Sequence, residues 1–409
     1  MSAWLLPESV ADVLPSEARQ IEELRRAVLD RFRVYGYELV MPPLLEYTES
    51  LLGNADASLD LQTFKLLDQA SGRMLGLRAD TTPQVARIDA HILNRQGPAR
   101  LCYCGPVLHT HARGLHNTRE PLQCGAELYG CTGIQADLEV LGLAVDTLAL
   151  SGLSDYRFAF SHAGLLKALA YGHNVAEPVL YRIHQALSDK DQPLLHSLLQ
   201  DCPAAFAKAV QPVPGLYGVA LGEDGVLNRA RQELPCTEAV VAVLNELQAL
   251  LEGLKDSVGQ DTQAGLPALM MDLADLASFD YHSGLVFSAY TELSPNPILR
   301  GGRYDHVGKV YGRARAATGF SVDLRELVSL KPVRTVAKPA IRAPWKQEPA
   351  LSRAIRQLRE AGEVVVQSIP QCQAEEEEFV CDRELVPGAK GWIVQPLGGG
   401  QIGGGQESK

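Results

Sequence analysis

Two stretches of the chain gather side chains able to hold charge or move protons. The first, residues 105–127, carries His109-x-His111, Arg113, His116 and Arg119, and closes on Gln123 and Glu127. Alternation along a strand puts His109 and His111 on one face. No Cys or carboxylate stands at zinc spacing from them, so no metal or other cofactor is expected and the histidines read as a solvated loop. Arg113 and Arg119 leave that loop some affinity for anions. The second stretch, Asp80-Thr81-Thr82-Pro83, stands between a strand and a helix. Asp80 or Thr81 can cap the helix, with Pro83 in its first turn. A side chain at such a junction also faces the mouth of a pocket. Further on, Tyr281-His282 falls in a strand-like segment, where an aromatic usually serves the core.

The elements that must carry these residues follow from periodicity. Ile21, Leu24, Val28 and Phe32 recur at helical spacing, so residues 16–32 read as an amphipathic helix capped by Ser16 and ended by Gly36. Residues 37–41 read as a strand stopped by Pro42-Pro43. Residues 62–67 and 74–77 form a hairpin around Ser71-Gly72-Arg73. A helix after Pro83 should bury Val85, Ile88 and Ile92. Residues 138–148 read as a helix, and 156–160, 269–272 and 284–289 as strands. Residues 165–254 are Leu- and Ala-rich and read as a helical insertion. Composition shifts after residue 330. Residues 331–347 hold three prolines and no acid and read as an extended linker. Residues 348–397 read as a small α/β unit, and the glycine-rich 398–409 as a flexible tail.

Composition narrows the function classes. The 409 residues suffice for a large core and more than one domain. Hydrophobic and charged fractions of 46% and 21% are those of a soluble globular protein. Lys plus Arg is 38 against 49 Asp plus Glu, a net charge of −11 that argues against a nucleic-acid partner. No apolar run is long enough for a membrane span, and the N-terminus lacks the basic region of a signal peptide. The eight Cys are scattered, which fits a reduced cytoplasmic setting.

The frame from Gly105-Pro106 to Gly125-Ala126-Glu127 resembles motif 2 of class II aminoacyl-tRNA synthetases, specifically histidyl-tRNA synthetase. Leu77-Arg78-x-Asp80-x-Thr82, Asp280-Tyr281-His282 with Val286-Phe287, Gly301-Gly302-Arg303-Tyr304-Asp305, and Gly319-Phe320 through Leu327 resemble further motifs of that family, in its order. The resemblance covers about residues 8 to 330. It implies an α+β fold: an antiparallel class II synthetase-like sheet flanked by helices, with a helical insertion and a small C-terminal α/β unit (domains 1–330, linker 331–347, unit 348–397, tail 398–409). It implies a histidine pocket of Asp80, Thr82, Arg113, Gln123, Glu127, Tyr281 and His282. There Asp80 and Thr82 take the ammonium, and carboxylates and the Gln carbonyl suit the cationic or donor groups of the ligand.

The nucleotide-binding positions depart from the family. His109 stands for the arginine that clamps the α-phosphate, His111 for a glutamate, and Ala277 for a catalytic arginine. Glu326 replaces the motif 3 arginine, with Arg325 one place earlier and so turned by about 100°. Losing one preorganised charged contact typically costs on the order of 10²–10³ in rate, so adenylation is not expected. A kept amino-acid pocket, a lost nucleotide site and a C-terminus shorter than the synthetase's anticodon-binding domain together are similar to the ATP phosphoribosyltransferase regulatory subunits. That resemblance implies a non-catalytic chain. Such a chain assembles with a short catalytic phosphoribosyltransferase, dimerises through its motif 1 region (residues 16–43) and confers feedback by L-histidine on the first step of histidine biosynthesis. The alternatives are a divergent histidyl-tRNA synthetase, or a histidine-sensing module of another pathway.

Overall fold

The structure is a computed structural model. It describes residues 5–52, 57–112, 114, 118–258, 267–275, 281–331, 338–371, 379–389 and 391–397. The chain divides into two compact units, Met1–Asp12 with Ile21–Lys331, and Val13–Gln20 with Pro332–Lys409.

The large unit is built on a nine-stranded sheet. Its order is Glu38–Leu39, Ala99–Pro106, Leu122–Tyr129, Ala317–Asp323, Leu299–Arg303, Leu285–Tyr290, Arg157–His162, Ala268–Asp272 and Tyr217–Val219. The six strands from Ala99–Pro106 to Arg157–His162 run antiparallel to one another, and Glu38–Leu39 and Ala268–Asp272 pair in parallel with the outer two. Helix Pro15–Val34 buries Ile21, Leu24, Val28 and Phe32, the stripe expected from its periodicity, and Phe32 meets Phe320 edge to face at 5.9 Å. Gly36, at φ +84°, takes the left-handed turn that ends it. Helix Ile134–Ser151 buries Val140, Leu141, Ala144 and Leu148 completely. The fold is the expected α+β class.

Several elements differ from the sequence expectation. Only Glu38–Leu39 of residues 37–41 pairs as a strand, and Met41 is 78% exposed. The helix after Pro83 runs Thr82–Arg87 and then continues as a π-helix over Ile88–Leu93. Its end is closed by the Asn94 N–H on the Asp89 carbonyl, five residues back. The wider turn moves later side chains off the 3.6-residue period, so Ile92 is 60% exposed rather than buried. The insertion carries helices from Leu165–Ala170 to Glu238–Val258. It also contributes the short edge strand Tyr217–Val219, which pairs with Ala268–Asp272.

In the small unit, Lys338–Pro344 is a strand within the stretch expected to be linker. It lies inside a four-stranded sheet, parallel to Val365–Ser368 on one side and Phe379–Gly388 on the other. Strand Gly391–Pro396 completes that sheet. Pro339 and Pro344 argued against an interior strand. They stand at its two ends, and between them Ala340, Ile341 and Ala343 are fully buried. Helix Pro349–Glu360 lays Leu351 and Ile355 on Ile341, Ala343, Val365 and Leu385. The four glutamates at 375–378 and the glycine-rich tail lie outside the described residues.

Candidate functional site

The site grows out of the strand pair Ala99–Pro106 and Leu122–Tyr129. Register sets Leu101 opposite Glu127, Tyr103 opposite Gly125 and Gly105 opposite Gln123. Period-two alternation therefore turns Tyr103, Gln123 and Glu127 to one face. Gly125 faces the Tyr103 ring, which occupies the space where any Cβ would stand. The junction after strand Met74–Leu77 brings Asp80, Thr81 and Thr82 over this face, and strands Leu299–Arg303 and Ala317–Asp323 close the side. Together they enclose a cavity of about 860 Å³.

Asp80, Thr82, Gln123, Glu127, Tyr281 and His282 all line it. The structure thus brings together six of the seven residues expected to form the pocket. Arg113 lies outside the described residues, as do His116, Ala277 and Asp280. Gln123 holds the junction in place. Its carbonyl oxygen accepts from the Thr81 N–H at 2.9 Å, and its amide donates to Asp80 Oδ1 at 2.7 Å. Asp80 Oδ1 also accepts from the Thr82 N–H at 3.0 Å. A second chain of bonds runs from the Thr82 hydroxyl to the Tyr103 phenol at 3.2 Å, and on to Glu127 Oε1 at 3.3 Å. Tyr281, His282 and Tyr304 form an aromatic wall, with Tyr281 5.0 Å from the His282 ring and 5.2 Å from that of Tyr304.

Glu127 is the unusual group. It is 1% exposed, and among the described residues its Oε2 and the Tyr304 hydroxyl have no hydrogen-bond partner. Burial pushes its carboxyl well above the usual carboxylate range, and the charge of Asp80 adds to that; the Thr82 and Tyr103 hydroxyls partly offset it. Gly319 leaves room for Oε2 itself, since a Cβ there would overlap both Oε2 and the Tyr304 hydroxyl. A buried, unpartnered acceptor on a residue lining the cavity is matched to a cation or a strong donor, which would supply the missing partner and favour ionisation.

The opposite end of the cavity does not suit a nucleotide. His109 is buried, with Nε2 2.9 Å from the Ala79 carbonyl oxygen and its backbone N–H donated to the Arg119 carbonyl. His111 is exposed. Glu326 lines the cavity and accepts from the Ser294 hydroxyl at 3.0 Å. Arg325 pairs instead with Glu120 at 3.2 Å, the direction expected from a shift of one residue along the helix. Arg119 stacks over Phe64 at 5.0 Å and donates Nε to the His109 carbonyl. Asp323 caps the helix that carries Glu326, accepting from the Arg325 N–H at 3.0 Å, and burial raises its pKa. Glu326 and Asp80 stand in the lining with Arg300, and carboxylates disfavour phosphate.

Sequence reading missed three contributors. Tyr103 sits in an apolar run that reads as a buried strand, and only its register against Gly125 aims it at Glu127. Tyr304 and Gly319 fall inside quoted motifs, which was the available signal, but their meeting at Glu127 is a tertiary fact.

Residues 9–327 match a family model for histidyl-tRNA synthetase. Residues 338–395 match a model for the ATP phosphoribosyltransferase subunit HisZ C-terminal domain. ATP phosphoribosyltransferase regulatory subunits from Burkholderia vietnamiensis and Burkholderia multivorans are each 54% identical over 396 residues, covering 97% of this chain and all of theirs. Among solved structures, one described as an ATP phosphoribosyltransferase regulatory subunit/histidyl-tRNA synthetase from Bacillus halodurans superimposes with a TM-score of 0.78 at 27% identity, over 92% of this chain and 96% of that one. Histidyl-tRNA synthetase from Nostoc shares the fold with a TM-score of 0.74 at 19% identity, over 97% of both chains. With synthetase architecture through most of its length and a C-terminal unit that matches the regulatory subunit's own model, the chain belongs to the family of ATP phosphoribosyltransferase regulatory subunits.

Proposed function

We propose that this chain assembles with a short catalytic ATP phosphoribosyltransferase and makes it responsive to L-histidine, which occupies the cavity around Glu127. The observation that carries this reading is the buried Glu127 Oε2, without a hydrogen-bond partner among the described residues, on a residue that lines the cavity. Asp80, with Thr82 beside it, takes the ligand ammonium, Gln123 orients Asp80, and Tyr281 and His282 cover the ring. Arg113 completes the set. With Glu326 and His109 at the positions that would meet a nucleotide, bound amino acid has no reaction to enter. Its binding energy then acts only by shifting a conformational equilibrium. That shift is read on the catalytic chain, and by linkage the catalytic chain's ligands weaken histidine binding by the factor by which histidine weakens theirs.

The remaining parts of the reading are a homodimer through residues 16–43, a cytoplasmic setting and no nucleic-acid partner. The net charge of −11 supports the last, and no described helix is long and apolar enough to cross a membrane. The test is phosphoribosyl-ATP formation by the short catalytic chain, with and without this protein, across a histidine titration. Unchanged rate and unchanged response to histidine would refute the assignment.

A further inference from the structure

The strand pair that builds the cavity has a second face. The alternation that turns Tyr103, Gln123 and Glu127 inward turns Cys102, Cys104 and Cys124 away. Cys104 stands directly opposite Cys124. The type of this pair follows from the ladder. The Val107 N–H donates to the Pro121 carbonyl at 3.0 Å, so Val107 and Pro121 form a hydrogen-bonded pair. Two steps back, Gly105 and Gln123 do the same, which leaves Cys104 and Cys124 as a non-hydrogen-bonded pair. Such pairs hold their Cα atoms about 4.5 Å apart with side chains at closest approach. That separation lies within the ~4.4–6.8 Å that a disulfide spans.

Both residues are free cysteines, and their thiols influence one another across the pair. They are chemically unequal. Cys124 is fully buried, and burial pushes its thiol well up. Cys104 is half-buried; contact with Cys124 and the Arg25 guanidinium pull its pKa down against the effect of burial. No other cysteine in the described residues shares this arrangement across the pair. Cys102 faces Ala126, and Cys131 lies beyond the end of strand Leu122–Tyr129.

We propose that Cys104 and Cys124 form a reversible cross-strand disulfide site, with Cys104 as the attacking thiolate and a small-molecule disulfide such as glutathione disulfide as the oxidant. The Cys104 thiolate attacks one sulfur of the oxidant, forming a mixed disulfide and releasing one glutathione thiolate. Cys124 Sγ then attacks Cys104 Sγ. The mixed bond breaks, and the second glutathione leaves as a thiolate that takes up the Cys124 proton. Two protein thiols are oxidised, and one glutathione disulfide is reduced to two glutathiones. In a reducing compartment such a bond is a transient, signal-bearing one rather than a structural one. It would tie the strand of Tyr103 to that of Gln123 and Glu127, one residue from Gln123.

The test uses the full native chain incubated with glutathione disulfide, quenched by alkylation, digested and sequenced by mass spectrometry. The expected product is a Cys104–Cys124 crosslink with the loss of two alkylatable thiols, reversed by dithiothreitol. Cys102→Ser and Cys131→Ser proteins should retain it, and Cys104→Ser should leave Cys124 alkylatable only after unfolding. The oxidised parent should unfold at a higher temperature than the reduced one. Crosslinks to Cys102 or Cys131, a crosslink formed only in denaturant, or Cys104 left as a free thiol would each overturn the proposal. So would an oxidised chain that melts at or below the reduced one.

Discussion

Replacing Glu127 by Gln keeps the shape of the side chain and removes its ability to ionise. Burial holds the Glu127 carboxyl above its ordinary range, so the folded state favours the protonated form. A raised folded pKa contributes stability that is complete below the unfolded value of about 4.3. That contribution is lost as pH rises through the folded value. Glu127→Gln cannot ionise, so its unfolding midpoint should equal the parent's on the acid side and exceed it on the alkaline side. Ligand binding should go the other way. A cationic or donor group opposite Oε2 makes a charge-assisted bond with the parent, worth about 1.5–3 kcal/mol. At about 1.4 kcal/mol per tenfold, L-histidine affinity should fall roughly 10- to 150-fold in the variant. Isothermal titration calorimetry at neutral pH reads the second effect, and thermal scans across pH read the first. Affinity within twofold of the parent would refute the assignment of the ligand to Glu127. Parallel pH–stability curves for the two proteins would refute the burial argument.

Three further outcomes follow from the same geometry. Gly319→Ala places a methyl against Glu127 Oε2, the Tyr304 hydroxyl and the Ala126 carbonyl. It should abolish detectable histidine binding in the calorimeter and cost about 1–3 kcal/mol of stability by overpacking. Arg303 pairs with Asp137 at 2.8 Å, with side chains 7% and 2% exposed. Arg303→Ala strands that carboxylate and should lower the urea-unfolding free energy by about 3–5 kcal/mol; a loss under 1 kcal/mol would mean Asp137 finds another partner. Purified protein should show no histidine-dependent ATP–pyrophosphate exchange, and turnover near 1 s⁻¹, within the usual enzyme range, would restore a catalytic reading.

Local chemistry made a good part of this protein legible. The stripe Ile21, Leu24, Val28, Phe32 determines one helix, because four apolar residues at helical spacing can be buried together only that way. The resemblance to synthetase motifs named seven pocket residues and the replacements His109 and Glu326 before any contact was known, and six of the seven line the cavity. What alternation and spacing do not carry is which strand lies opposite which. Register alone sets Tyr103 against Gly125 beneath Glu127, and sets Cys104 against Cys124 on the far face. The meeting of Gly319 and Tyr304 with Glu127 joins two regions far apart in the chain. The π-helix after Arg87 is closed by a hydrogen bond from Asn94 to Asp89 that no periodicity announces. The strand Lys338–Pro344 reads as linker because prolines flank it, and only the helix and strands packed on Ile341 and Ala343 make it interior. The elevated pKa of Glu127 is of the same kind. A glutamate in a sequence has an ordinary carboxyl, and only the walls closing around it remove the water that would keep it ionised.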